Sequence, residues 1–159
     1  MPNELPTSPL IKHAETVATL IRNVITEQGG NPDIVLPAWQ ASIAQLVTET
    51  ITKLNMAVVV PPPSTEALES LAGGYHQLTQ EITVITKPAL ASYPTPSSWT
   101  AYNIANLLVM SLDGKSLPND LDHLPTGVRH EILVKRISNT RDGANQIATL
   151  QLTTNTTLY

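Results

Sequence analysis

The sequence predicts an α+β fold, a mostly antiparallel β-sheet with helices packed on it and a C-terminal β-hairpin. Three observations point there. Apolar residues recur at steps of three and four over Leu10–Ile25, and dense apolar spacing returns over Trp99–Leu112, as helices with buried faces require. β-Branched residues alternate or run together over Met56–Val60, Leu78–Lys87 and the final stretch Gln146–Leu158. The resulting order is helix, helix, strand, strand, helix, strand, strand. It lacks the regular strand–helix alternation of a parallel sheet.

The first helix starts where Ser8 can cap it and Pro9 suits its first position, and Gly29-Gly30 ends it. Pro32 to Pro37 holds a short extended piece, Ile34-Val35-Leu36. Ala38 to about Leu54 reads as a second helix on Trp39, Ile43, Leu46, Val47, Ile51 and Leu54, although its alternating threonines also suit a strand. Met56–Val60 is a strand stopped by Pro61-Pro62-Pro63, which offer no amide hydrogens to a ladder. Ser64–Ala72 is polar, a helical turn or a mobile loop. In the next strand, Leu78–Lys87, Ile82, Val84 and Thr86 face one way and Glu81, Thr83 and Ile85 the other. A proline-punctuated loop leads to a helix capped by Ser97 or Ser98, closed by Gly114 and apolar around more than half its circumference. After the loop Lys115–Thr126, the hairpin pairs Val128–Ile137 with Gln146–Leu158, and Asp142-Gly143 supplies the turn. The expected core is Val58, Ile82, Val84, Ile104, Leu107, Leu108 and Ile132.

The length of 159 residues fits one domain, residues 1–159. Only 14% of residues are charged, and the polar surface must be drawn largely from the 20 threonines, with Ser, Asn and Gln. Such a surface desolvates cheaply and suits a subunit packed among others. The net charge of −4 argues against a dedicated nucleic-acid binder. The absence of cysteine removes disulfides, thiol catalysis and thiolate metal sites. No apolar run is long enough for a membrane span, and Met1-Pro2-Asn3-Glu4 does not start a signal peptide. A soluble, intracellularly made protein is expected.

Candidate chemistry is sparse. Asp120-Leu121-Asp122-His123 comes nearest to a metal cluster, but such residues beside prolines make turns and caps. Asp122 and His123 with Ser116 would need a fold-made triad, and no Gly-x-Ser-x-Gly elbow exists. Gly29-Gly30 and Gly73-Gly74 belong to no phosphate loop. The reading is therefore not an enzyme, with no cofactor and no metal. What remains is a basic ridge on the hairpin's first arm, Arg129, Lys135 and Arg136, with Arg141 and Asp142 at its tip. Charges on a strand deter unwanted edge pairing, yet an edge also recruits a neighbour by backbone bonds. These five residues form the candidate subunit interface.

One arrangement carries a resemblance. Asn55-Met56-Ala57-Val58-Val59-Val60-Pro61-Pro62-Pro63 is followed by Ile82-Thr83-Val84-Ile85-Thr86 and then by a helix beginning Thr100-Ala101-Tyr102-Asn103-Ile104-Ala105. Over residues 10–158 this order resembles the tail-terminator and tail-completion proteins of tailed bacteriophages; the Trp39–Leu54 segment has no place in that pattern. The resemblance implies a structural virion protein of the tail or neck, assembled in the host cytoplasm as a homo-oligomeric ring, usually a hexamer. Its implied partners are the tail tube protein and the head–tail connector proteins, and no membrane. About six copies at −4 each sum to about −24, a sign that lets DNA pass a lumen without specific binding. The alternatives are a head–tail connector or other tail-completion subunit and, more remotely, a small cytoplasmic enzyme or ligand-binding module using the Asp120–His123 loop or a pocket beneath Trp99.

Overall fold

The computed structural model describes residues 2–39, 42–67, 75–88, 90–117 and 130–157. Helix α1 (Pro9–Glu27) begins as expected: the Ser8 hydroxyl accepts from the Leu10 amide at 3.2 Å, and Pro9 takes the first position. Its apolar face of Ala14, Val17, Ala18, Ile21 and Ile25 is buried. A 3-10 turn (Pro32–Ile34) then leads into β1 (Val35–Pro37). The expected extended piece is thus a sheet strand one residue further on, paired in parallel with β2 (Met56–Val60). Helix α2 (Ile43–Leu54) is the crossover between them. It starts at Ile43 rather than Ala38 because the Ala38 amide is already bonded to the Val60 carbonyl at 2.9 Å, which prolongs the strand.

The triple proline has the predicted effect and a further one. Beyond Val60 the chain leaves its partner strand β4 (Tyr75–Thr86), then returns to it as β3 (Ser64–Ala67), paired with Thr79–His76. The helical turn or mobile loop expected from Ser64 is therefore corrected to a strand over its first four residues. Buried Gln80 bridges the gap, its Nε2 donating to the Pro61 carbonyl at 3.0 Å. Paired by β3 on one side and β6 (Asn145–Thr157) on the other, β4 begins at Tyr75 rather than Leu78.

The hairpin is longer than predicted. β5 (Ile132–Asp142) zips to β6 as far as Asp142 opposite Asn145, leaving only Gly143-Ala144 as the turn. Gly143, at φ +61°, holds the first turn position, where a type II′ turn demands glycine. The eight residues Ser138–Asn145, expected as a connection, are mostly ladder because Ser138–Arg141 each find a partner among Thr149–Gln146.

The sheet order is β1-β2-β4-β6-β5, antiparallel except for the first pair, with β3 beside β4. Helices α1 and α3 (Ala101–Leu112) cover one face and bury Val58, Val60, Ile82, Val84, Leu150, Leu152 and Ile132. Residues one step out of phase, Leu36 and Ala57, belong to a smaller cluster with Ile51 of α2 and the partly buried Ile85. Helix α2 therefore lies on the opposite face, at the β1–β2 end. Two expectations need correction. Helix α3, expected to be buried between layers because more than half its circumference is apolar, is open where Tyr102 is 47% and Met110 78% exposed, and Leu107 of the expected core is only half-buried. The other six predicted core residues are buried. Among the described residues, no helix is long and apolar enough to cross a membrane.

Candidate assembly interface

Strand β5 ends the sheet, so its outer backbone groups decide how the molecule meets a neighbour. The first part of that edge is closed from within. Gly114 donates to the Ile132 carbonyl at 2.8 Å, Ile132 donates to Lys115 at 2.9 Å, and Leu117 donates to His130 at 2.8 Å. The Asp113 carboxylate then accepts from the Val134 amide at 2.9 Å. The chain leaving α3 thus guards the edge as far as Val134.

A bulge follows between Val134 and Arg136, with Lys135 as the extra residue. Past the bulge, no described residue pairs with the outer side of Ile137–Asp142, and Ser138, Asn139, Thr140, Arg141 and Asp142 are exposed. The opposite edge behaves differently. Strand β1 is three residues long and ends in Pro37, and Arg22 donates to the Val35 carbonyl at 3.4 Å. The β1 edge is protected and the β5 edge is half open, while the short strand β3 pairs with β4 alone.

The hairpin tip also walls a cleft of about 340 Å³. Arg141 and Gln146 line it from the hairpin, Lys87 from just past the end of β4, and Pro96, Trp99 and Thr100 from the segment leading into α3. Trp99 is fixed by close approach to Gly30, where an added Cβ would lie 2.5 Å from the indole ring. The start of α3 forms part of this lining. Its cap is Thr100, not Ser97 or Ser98, and the Thr100 hydroxyl accepts from Asn103 at 3.3 Å. Buried Thr86 accepts from the Ala101 amide at 3.0 Å, and Gln146 accepts from Tyr102 at 3.5 Å. Side chains from two strands thereby satisfy the amides that a helix start leaves open. This terminus keeps no ready amide for an anion.

The loop 88–98 is held by Asn55, whose φ of +70° ends α2. Its side-chain amide donates to the Lys87 carbonyl at 2.9 Å and to the Thr95 hydroxyl at 3.3 Å, while the Lys87 amide donates to the Asn55 carbonyl at 3.0 Å. Among the described residues the cleft lining has two cations, hydroxyls, an indole and prolines, but neither imidazole nor carboxylate. Such a surface is equipped to bind an anionic and apolar group.

Of the predicted interface residues, Arg141 and Asp142 are exposed at the tip, and Lys135 and Arg136 stand at the bulge where the edge opens. Arg129 lies outside the described residues, as do Asp120, Asp122 and His123. Sequence reasoning missed Lys87 and Gln146. The only local signal for Lys87 was its place before Pro88 at a strand end, and Gln146 read simply as the start of a strand. Neither the known protein-family models nor the curated proteins contain a match to this chain.

Proposed function

We propose that the protein is a structural subunit that assembles with copies of itself into a ring, in the role of a tailed-phage tail terminator at the neck. The observation that carries this reading is the edge Ile137–Asp142, open beyond the bulge while the rest of β5 and the β1 edge are closed. A long open edge on a monomer is a site of uncontrolled pairing, and a closed circle of copies satisfies it where the edge meets a different segment of the next copy. The weakly charged, threonine-rich composition supports the same reading, because such a surface is cheaply desolvated.

Hairpin geometry supplies the test. In a two-residue hairpin the closing pair, Asp142 and Asn145, exchanges both backbone bonds, and the pattern then alternates along the strand. The amides of Asn139 and Arg141 therefore point outward. Asn139→Pro deletes an outward donor and leaves the hairpin's own bonds in place. The wild-type chain should elute at several times the monomer mass in light scattering and form rings in negative-stain images. Asn139→Pro should give folded monomers. A wild-type chain that stays monomeric at every concentration would sink the proposal.

A further inference from the structure

We infer that residues 2–8 form an arm that docks in trans, placing Glu4 and Leu5 in the Trp99 cleft of the neighbouring copy. The inference rests on the ring reading and names a second contact within it. Three observations carry it. First, residues 2–7 precede the first helix without regular structure and are exposed, and among the described residues they make no hydrogen bond. Leu5 is 90% exposed, the most exposed large apolar side chain described. Leu5 also precedes Pro6, which holds it extended, so docking the arm orders little that is not already restricted.

Second, the cleft complements the arm. Trp99 and Pro96 offer an apolar wall to a leucine, and Lys87 and Arg141 offer positive charge to a glutamate. Its 340 Å³ lies at the small end of ligand pockets, about 300–1,000 Å³, a size for one or two side chains rather than a folded element. Aromatic-lined grooves are also known hosts of extended, proline-rich segments.

Third, the arm cannot reach its own cleft. The 19 residues of α1 span about 28 Å at 1.5 Å per residue, and Trp99 packs at the far end, against Gly30. Leu5 is four residues before Pro9, a reach of at most about 14 Å even fully extended. A contact that complementarity favours and tether length forbids within one chain must be made between chains. It joins two different surfaces head to tail, as a ring requires.

The chain of 159 residues contains no cysteine, so disulfide trapping has no background. The double variant Leu5→Cys with Ser97→Cys should form covalent multimers under mild oxidation. The series should extend beyond dimer, which neither single-cysteine variant can do. In parallel, Glu4→Lys should raise the concentration needed for half-assembly by about two- to fivefold, the range for one exposed ion pair. Adding Lys87→Glu to Glu4→Lys should recover most of that loss. Assembled wild-type chain whose double-cysteine variant traps nothing beyond the single-cysteine controls would overturn the arm and leave the ring standing. A monomeric wild-type chain would overturn both.

Discussion

Two residues show how local constraints shape the Trp99 cleft. Gly30 is a glycine because of space: an added Cβ would sit 2.5 Å from the indole and 2.7 Å from Ile25 Cγ2. Gly30→Ala should push the indole off its seat and cost about 1–3 kcal/mol, the usual range for overpacking. A denaturant titration followed by tryptophan fluorescence measures both the loss and the displaced ring. Asn55 combines a left-handed backbone with two donated hydrogen bonds at a site 1% exposed. Asn55→Ala leaves the Lys87 carbonyl without that donor and adds the left-handed penalty, together about 2–4 kcal/mol. Asn55→Gly should recover only the backbone part, and the same titration separates the two terms. Neither role was legible in sequence. Gly29-Gly30 read correctly as a helix stop, but Trp99 lies 69 positions further on, and no local pattern announces that contact.

At the scale of elements, legibility followed the range of the interactions that make each one. Helix α1 was read from its cap, its first proline, its apolar stripe and its glycine stop, all local signals. The alternation of Ile82, Val84 and Thr86 against Glu81, Thr83 and Ile85 was read equally well, because one covered face imposes it. Strands β1 and β3 were missed as sheet strands for the opposite reason. At three and four residues they carry too few positions for a period, and they exist because β2 and β4 template them. The second half of β5 failed similarly: Ser138-Asn139-Thr140-Arg141 has the composition of a turn but the pairing of a ladder. As for the site, sequence found the hairpin and its tip residues. It could not show that Asp113 and the chain after α3 close half the edge, a fact of tertiary geometry. Helix α3 offers a test of packing. Leu108 is fully buried and its neighbour Leu107 only partly so. Leu108→Ala should cost about 2–5 kcal/mol, and Leu107→Ala less than half as much. Equal losses in urea titrations would mean that α3 does not pack as described.

At the scale of the whole molecule, the question is which force would dominate assembly, and composition bears on it. Only 22 of 159 residues are charged (9 basic and 13 acidic), so a contact between copies has few charges to use. Backbone pairing along Ile137–Asp142 and burial of Leu5 against Trp99 are both short-range and little affected by salt. The proposed contact of Glu4 with Lys87 and Arg141 is the part that salt would screen, and both cations are exposed at the cleft. Exposed pairs contribute about 0–1 kcal/mol each, and the Debye length falls from about 10 Å at 0.1 M to 3 Å at 1 M. Raising sodium chloride from 0.1 to 1 M should therefore weaken wild-type assembly by no more than about thirtyfold, the full loss of two such pairs. In Glu4→Gln the same change of salt should have almost no effect. Sedimentation velocity across a concentration series gives both numbers. A salt dependence of several orders of magnitude would instead identify a charge-driven contact elsewhere, and the basic bulge at Lys135 and Arg136 would be the first place to look.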